Sequence, residues 1–348
     1  MAKNVLIIAT SRKTRGGITS VVLAHETGEQ WKKYHCRWIQ THRDGPAWRK
    51  IFYFVTALVQ FIVLVPFCDL VHIHLAAVNR KMPFVAITKI FRKKLIVHLH
   101  FPGAESTLYD KRLSPRYKWC MKKADVVIAL SNTWKKLIEE TYHIHNIRVI
   151  YNPCPSVNRE LSEKTDKYIL YAGTVDHRKG YDDMIEAFAK VHIVCSGWRL
   201  VFAGNGELER GKRMASELGI GDKCEFLGWV SGTEKEKAFQ NASAYCLSSY
   251  AEGFPMGVLD AWAYGLPVIT TPVGGLPDVL KDGFNALVNQ PGDIDALAEN
   301  FKKIANDDVR YAIARESLKL ADGIFSAKEI NRQLGKLYEE LTGSSCSL

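Results

Sequence analysis

Residues Ser248–Pro277, with the sequence SSYAEGFPMGVLDAWAYGLPVITTPVGGLP, decide how this chain folds. They follow a short apolar run, Ala244–Leu247, of the kind that forms a strand buried in a parallel sheet. Apolar residues at helical spacing begin at Met256 and end at Gly265, and a second apolar strand, Pro267–Thr270, comes next. The stretch therefore predicts a strand, a loop, a helix and a strand, which is one unit of a parallel α/β sheet.

The loop and the start of the helix in this unit offer a binding site for an anion. The first N–H groups of a helix at the carboxyl edge of a sheet are free to bind phosphate oxygens. Two carboxylates flank that point, Glu252 in the loop and Asp260 two turns later. A carboxylate repels phosphate but accepts hydrogen bonds from sugar hydroxyls. The combination favours a nucleotide-sugar as the ligand.

With these residues the chain resembles family 4 of the retaining glycosyltransferases, the glycosyl transferases group 1, which have the GT-B fold. Glu252 and the acid eight residues later match the E-x7-E signature of the family, except that Asp260 replaces the second Glu. The resemblance covers nearly the whole chain. It implies that Glu252 contacts sugar hydroxyls near C3 and C4, that Asp260 contacts the ribose, and that transfer retains the anomeric configuration.

A second segment, Gly173–Gly180, has the sequence GTVDHRKG and follows the first predicted strand of the second half. The resemblance implies that Lys179 binds the donor diphosphate and neutralises the charge of the leaving group. Thr174 occupies the position where the family has Arg, and Arg178 is the predicted substitute. The alternative, a solvated basic turn, is disfavoured because Lys179-Gly180 opens a helix at the carboxyl end of a strand.

Further residues are predicted to line the donor site. Gly204 lies in a glycine turn after a strand, and Trp229 is a candidate for the nucleotide base site, although a surface aromatic would fit equally well. The other predicted donor-binding residues are Gly17, Phe254, Met256, Gly257 and Val258.

On the acceptor side, the candidates are a glycine turn and a histidine. Gly16-Gly17 follows the first predicted strand, where paired glycines allow close approach of a ligand, although a tight strand-to-helix turn explains them equally well. The resemblance implies that this glycine turn lines the cleft from the acceptor side. The resemblance also places His100 against the transferred sugar as a catalytic residue. The histidine pairs His72/His74 and His98/His100 could suggest a metal, but no Cys, Asp or Glu accompanies them at ligand spacing, so no metal is predicted.

Alternation of strands and helices in both halves predicts the α/β class. The predicted strands are Val5–Ala9, Arg37–Thr41, Leu70–Ile73, Leu95–Leu99, Val126–Ala129, Arg148–Tyr151, Tyr168–Ala172, Arg199–Ala203, Cys224–Leu227, Ala244–Leu247 and Val268–Thr270. A polar, turn-rich linker separates an N-terminal acceptor-binding domain, 1–157, from a C-terminal nucleotide-sugar-binding domain, 158–348. The GT-B resemblance implies two Rossmann-like domains with parallel sheets facing across a cleft, and a last helix that crosses back to the first domain.

Composition and charge indicate a soluble protein with an anionic partner. The 348 residues are 47% hydrophobic and 24% charged, and eight scattered cysteines without a Cys-x-x-Cys pair favour reduced thiols in a cytoplasmic protein. Residues 1–160 carry a formal charge of +16 and the remainder carries −6, which together give +10. Such an asymmetry predicts that the first half faces an anionic surface or ligand.

The longest apolar run, Ile51–Cys68, is interrupted by Thr56, Gln60 and Pro66. This pattern favours a buried or membrane-skimming helix over a membrane span. Basic clusters, among them the run Lys111–Lys123, could lie on anionic headgroups at the inner face of the cell membrane, although a solvated charged face explains them equally well. The protein would then be cytoplasmic and peripheral on that membrane.

The sequence therefore predicts a retaining hexosyltransferase that uses a nucleotide-diphosphate sugar and builds cell-surface polysaccharide. The acceptor would be a saccharide, including one linked to undecaprenyl diphosphate. No Asp-x-Asp motif follows a strand, so neither a metal nor another cofactor is expected. The alternatives are a nucleotide-sugar epimerase of the same fold and a nucleic-acid-binding module that is not an enzyme. A nicotinamide dehydrogenase is disfavoured because the first glycine turn lacks the G-x-G-x-x-G spacing.

Overall fold

The computed structural model describes residues 3–100, 109–158 and 166–343. The chain divides into two compact units, one formed by Met1–Pro153 with Ser326–Leu348 and the other by Cys154–Phe325. The boundary predicted after residue 157 lies four residues beyond this division. The last helix of the chain belongs to the first unit, although the sequence that precedes it belongs to the second.

The first unit contains a six-stranded sheet in which every pair of neighbours is parallel. Its strands are β1 (Val5–Ala9), β2 (Arg37–Gln40), β3 (Leu70–Leu75), β4 (Lys94–Leu99), β5 (Val126–Ala129) and β6 (Ile147–Val149), in the order β2-β1-β3-β4-β5-β6. Its helices are α1 (Gly17–Glu26), α2 (Glu29–Lys33), α3 (Ala47–Leu64), α4 (Val78–Ile90), α5 (Ser114–Lys123), α6 (Asn132–Tyr142) and, at the end of the chain, α13 (Ala327–Thr342).

Helix α13 completes the core of the first unit. Its apolar face, which includes Ile330, Leu334 and Tyr338, packs against strand residues such as Val5 and Ile96. All of these side chains are fully buried or nearly so. Because burying a side chain of this size contributes about 1.5–3 kcal/mol, α13 is an integral part of this core.

Helix α3 has an apolar face that the first unit leaves in solvent. Only Ala57 and Phe61 are buried within it, so of the two predicted environments, buried or membrane-skimming, the structure contradicts the first. The exposed apolar side chains recur every three or four residues and therefore share one face; they are Trp48, Ile51, Phe52, Val55, Val59, Ile62 and Val63. With the short 3₁₀ turn that follows, α3 is long and apolar enough to cross a membrane by length and composition, and 17% of its most apolar window is buried.

The second unit contains another six-stranded, fully parallel sheet. Its strands are β7 (Tyr168–Ala172), β8 (Arg199–Ala203), β9 (Cys224–Gly228), β10 (Ala244–Leu247), β11 (Val268–Thr270) and β12 (Leu287–Val288), in the order β12-β11-β10-β7-β8-β9. Its helices are α7 (Tyr181–Val191), α8 (Leu208–Glu217), α9 (Thr233–Asn241), α10 (Met256–Ala263), α11 (Ile294–Ala305) and α12 (Asp307–Asp322). Each predicted strand is present with ends that differ by at most two residues, and β12, only two residues long, was not predicted.

Each sheet has one point at which the order of its strands reverses. In the first unit the reversal lies between β1 and β3, and in the second it lies between β7 and β10. The loops that follow two such strands diverge to opposite faces of the sheet and leave a crevice at its carboxyl edge. Ligands of open α/β sheets bind in that crevice, so the loops after β7 and β10 are the first place to look for a site.

Candidate active site

The loops that follow β7 and β10 are bonded to each other at the reversal point of the second sheet. The N–H of Tyr250 donates to the carbonyl of Arg178 at 2.8 Å. Gly180 has a φ of +68°, and a Cβ at this position would lie 2.1 Å from the carbonyl oxygen of Ser248. Only glycine allows both this backbone conformation and this close approach.

We expect Gly180→Ala to destabilise the second unit because the new methyl group must push the two loops apart. Gly197 is a matched control, since its φ is +81° and a Cβ there would meet nothing within 4 Å. Gly197→Ala should cost about 1–2 kcal/mol for the left-handed backbone alone, and Gly180→Ala should cost about 1–3 kcal/mol more from overpacking. Urea denaturation of the two variants measures the difference, and equal midpoints would show that the loops are not closely packed.

Lys179 and Glu252 form an ion pair at the centre of this arrangement. Both side chains are largely withdrawn from solvent, with exposed fractions of 17% and 9%. Ser249 donates a second hydrogen bond to the same Glu252 oxygen at 2.8 Å, and the Arg178 guanidinium lies 3.8 Å from it. The structure thus brings together the predicted pair, Lys179 and Glu252, with the predicted substitute cation, Arg178.

Two contacts fix the basic loop before any ligand arrives. Asp176 accepts a hydrogen bond from the N–H of Lys179 at 3.1 Å and caps the short 3₁₀ turn that carries both cations. The Arg178 guanidinium donates to the carbonyl of Ala251 at 2.9 Å.

Thr174 stands where the family has Arg, and its carbonyl oxygen accepts a hydrogen bond from the hydroxyl of Tyr171. Asp176 and Ser249 were not singled out from the sequence, because their partners lie across a turn whose geometry the residues alone do not give.

Helix α10 begins against the ends of β7 and β10. A Cβ on Gly257 would lie 2.1 Å from the Tyr245 hydroxyl and 3.0 Å from the carbonyl oxygen of Ala172, so only glycine lets the helix approach this closely. The side chains of Phe254 and Val258 are buried, and Phe254 packs on Phe325 with ring centroids 5.3 Å apart. The two predicted donor-binding side chains therefore face the core, and the backbone of the first turn, which includes Met256, is the part of the segment available to an anion.

Asp260 lies in the second turn of α10 and pairs with Lys235 of α9 at 2.7 Å. It is nearly buried, and burial raises the pKa of its carboxyl group, an effect that the nearby Lys235 ammonium opposes. Lys235 was missed from the sequence because it lies 25 residues earlier on a different helix. The ion pair holds the shorter Asp side chain in a fixed direction at one end of the candidate site.

The two other predicted elements of the donor site lie farther along the sheet. Gly204 crosses the loop after β7 so closely that a Cβ would lie 1.6 Å from the carbonyl oxygen of Gly173. Trp229 follows β9, is 40% exposed and stands at the edge of the sheet. With three strand spacings between β10 and β9, the two loops are separated by about 14 Å. At this distance Trp229 does not touch Glu252. A base site at Trp229 stays a prediction.

The predicted acceptor-side residues lie at the carboxyl edge of the first sheet. Gly16 has a φ of 134° and caps α1, and Gly17 is the first residue of that helix. His100 directly follows β4 and is nearly buried; its Nε2 lies 3.0 Å from Nδ1 of His74. Burial lowers the pKa of His100 to about 3, so the ring is neutral at physiological pH. Its predicted contact with a sugar stays a prediction.

Known proteins resemble the chain in sequence and in fold. A family model described as Glycosyltransferase Family 4 matches residues 14–155, and one described as Glycosyl transferases group 1 matches residues 156–320. Lipopolysaccharide 1,6-galactosyltransferase of Salmonella typhimurium strain LT2 is 28% identical over 203 residues, 55% of either protein. An uncharacterized glycosyltransferase of Methanocaldococcus jannaschii is 29% identical over 194 residues, 50% of either protein, so the match spans about half the length of these relatives.

The structure of HepE from Anabaena, solved in complex with UDP and glucose, matches the fold with a TM-score of 0.77. The match covers 97% of this chain and 100% of HepE at 16% sequence identity, a level at which the likeness concerns the fold. The two family models adjoin at residue 155 and together extend from residue 14 to residue 320. With a Glycosyltransferase Family 4 half followed by a Glycosyl transferases group 1 half, each on its own six-stranded parallel sheet, the chain belongs to the glycosyltransferases of the GT-B fold.

Proposed function

We propose that this protein transfers a hexosyl group from a nucleotide-diphosphate sugar to a saccharide acceptor with retention of configuration. The observation that carries the proposal is the ion pair of Lys179 and Glu252 at the reversal point of the second sheet, beside the first turn of α10. The pair presents a cation for the diphosphate and an acceptor for sugar hydroxyls within one side-chain length. The relatives support a nucleotide-sugar donor, since HepE was solved with UDP and the Salmonella relative is a galactosyltransferase.

In this proposal Lys179 and Glu252 bind different parts of the donor. Lys179, with Arg178 beside it, neutralises the charge that develops on the departing diphosphate. Glu252 orients the sugar through its hydroxyls, and Asp260, held by Lys235, accepts from the ribose. Backbone N–H groups of the first turn of α10 complete the diphosphate site. No resident metal is needed at this site, because fixed cations and amides supply the positive charge.

The proposed acceptor is lipid-linked, and the exposed apolar face of α3 is the proposed contact with the membrane. The large side chains on this face are 46–65% exposed, with Trp48 at 65% and Ile51 at 62%. Arg49 and Lys50 lie on the first turns of α3, and Lys93 donates to the carbonyl of Pro66 just beyond its other end at 2.7 Å. Cations at both ends of an apolar face fit a helix that lies on an anionic lipid surface. We propose that the protein works on the cytoplasmic face of the membrane.

A transfer assay tests the proposed reaction. Purified protein is incubated with UDP-, GDP- and ADP-hexoses and a mixed lipid-linked acceptor extract, and the radiolabelled sugar is followed into the lipid phase. We expect one donor class to label the acceptor, with the same rate in EDTA as in magnesium. Activity that EDTA abolishes and magnesium or manganese restores would overturn the metal-independent mechanism. Conversion of the donor without an acceptor would instead favour the epimerase, and salt-sensitive RNA or DNA binding without affinity for UDP or GDP would favour a nucleic-acid module.

A further inference from the structure

A stack of buried histidines crosses the first unit beside α1 and α13. Four of them belong to the two pairs noted in the sequence, and the fifth comes from α1; they are His25, His72, His74, His98 and His100. Ring centroids are 4.4–4.6 Å apart within the two pairs and 4.8 Å apart between His74 and His98. Each ring nitrogen that is buried away from water needs a hydrogen bond or another partner.

Three nitrogens of this stack have no hydrogen-bond partner among the described residues: Nε2 of His25, of His74 and of His98. The ligand atoms of these three rings all lie within 4.8 Å of one another. Among the residues that the structure describes, they form the one group of His, Cys, Asp or Glu with metal-binding spacing. The three rings that carry the unpartnered nitrogens are thus the same three that bring one ligand nitrogen each within 4.8 Å of the others.

The protonation of His25 follows from its neighbour Asn331. The Asn331 side-chain nitrogen donates to the carbonyl of Ala24 at 3.0 Å, and its oxygen accepts from the Gln30 amide at 2.8 Å, which fixes the orientation of the Asn331 amide. The same oxygen lies 3.2 Å from Nδ1 of His25, so Nδ1 carries the proton and donates. Nε2 of His25 is therefore unprotonated and carries a lone pair.

The other two rings have the same arrangement. Nδ1 of His74 lies 3.0 Å from Nε2 of His100, and Nδ1 of His98 lies 3.3 Å from Nε2 of His72. The opposite nitrogen of His72 contacts the hydroxyl of Tyr338 at 2.7 Å. If each Nδ1 donates, the Nε2 atoms of His74 and His98 are lone pairs as well. Three lone pairs that face one another without a donor repel, unless a cation lies among them.

We propose that His25, His74 and His98 form a site for a first-row transition metal ion, with zinc as the first candidate. Three neutral imidazoles are a ligand set that zinc accepts, with a fourth position left for water. Zinc–nitrogen bonds of about 2.1 Å at tetrahedral angles would place the ring centroids roughly 5 Å apart. The observed separations are 4.8, 5.9 and 6.2 Å, so small ring movements complete the site.

The groups around the three rings are those expected if a metal ion, and not a shared proton, lies between them. Each metal-binding histidine ordinarily donates its other N–H to a fixed acceptor, and Asn331, His100 and His72 each place an oxygen or nitrogen within 3.3 Å of the Nδ1 atom of one ring. A shared proton is the alternative occupant. One proton can bridge two of the three ring nitrogens at most, so it would leave the third without a partner.

The sequence predicted no metal at the two histidine pairs, and the proposed site differs from either pair because it includes His25 of α1. A metal at this point would join α1 to the neighbouring strands β3 and β4. Since α1 begins at Gly17, the metal would also fix the helix whose first turn carries the predicted acceptor-side glycines. The proposal is argued from the histidine contacts alone and does not rest on the proposed function.

The test measures zinc binding directly on the full chain without an affinity tag. We expect metal-stripped protein to bind one zinc ion by calorimetry, and cobalt to give the visible absorption bands of a tetrahedral site. Saturating zinc should raise the melting temperature by roughly 5–10 °C. X-ray absorption of the zinc-loaded protein should show three imidazole nitrogens at about 2.0–2.1 Å. None of these measurements uses transfer activity, so their outcome does not depend on the proposed function.

His25→Gln and His145→Gln provide the matched pair of variants. His25→Gln removes one ligand and should weaken zinc binding more than tenfold, since loss of an outer partner alone commonly costs about 10–100-fold. His145 is exposed and outside the stack, so His145→Gln should bind zinc like the original protein. If His25→Gln does not fold, the absorption spectrum of the unaltered protein decides the question. No stoichiometric zinc in that protein, or equal zinc affinity in a folded His25→Gln variant, would overturn the proposal.

Discussion

Glu252→Gln is expected to reduce kcat by about 10²–10³-fold while nucleotide affinity stays the same or increases. The substitution keeps the size of the side chain and removes its charge. Lys179 and Arg178 then lie beside a neutral amide, so a diphosphate meets less competing negative charge. What is lost is the carboxylate that orients the sugar, and an interaction of this kind contributes to the transition state more than to binding. Steady-state kinetics and a fluorescent UDP-displacement assay measure the two effects separately.

Asp260→Asn is the control for this experiment because Asp260 is also a paired, nearly buried carboxylate on the same segment. If Asp260 contacts the ribose, its substitution should raise KM for the donor and leave kcat much less affected. Thermal unfolding of both variants separates loss of function from loss of fold. A Glu252→Gln enzyme with near-normal kcat would remove Glu252 from the mechanism.

Introducing charges on the exposed face of α3 is expected to abolish membrane binding. The variant combines Val55→Asp and Val59→Asp, two positions one turn apart that are 50% and 58% exposed. Each substitution removes an apolar contact with lipid and adds a charge that anionic headgroups repel. With about 1.5 kcal/mol or more lost at each position, binding should weaken roughly 100-fold or more. Flotation with phosphatidylglycerol-containing vesicles measures the bound fraction.

Ile193→Asp is the matched control, since Ile193 is 80% exposed but belongs to the second unit. It should leave flotation unchanged. Extraction with alkaline carbonate then distinguishes a helix that lies on the surface, which is released, from one that spans the bilayer, which is retained. Flotation of the α3 variant at the level of the unaltered protein would show that this face is not the membrane contact.

The fold was predictable because both sheets are built from parallel strands with nearly continuous apolar runs. Buried runs such as Val5–Ala9 and Val126–Ala129 are short, rich in branched side chains and bounded by turns, which distinguishes them from helices. The reversal point that positions Lys179 and Glu252 could not be derived in this way. Which strand neighbours which depends on packing between distant segments, and only the family resemblance indicated that these two residues share a site.

Two features of the molecule were missed and a third was left open. The pairing of Lys235 with Asp260 and the approach of His25 to the strand histidines join residues on different elements, which spacing along the chain does not report. For α3 the sequence left two environments open, buried or membrane-skimming. An amphipathic run has the same sequence pattern whether its apolar face meets the protein core or lies outside it.

Helix α13 has a consequence for how the protein is made. Its side chains fill the core of a unit whose other residues end at Pro153, and the hydroxyl of Tyr338 reaches the buried ring of His72. During synthesis the ribosome releases those earlier residues while the helix that completes them is still untranslated. The second unit, continuous from Cys154 to Phe325, can fold as it emerges, so the N-terminal half of the chain is the last part to reach its native state.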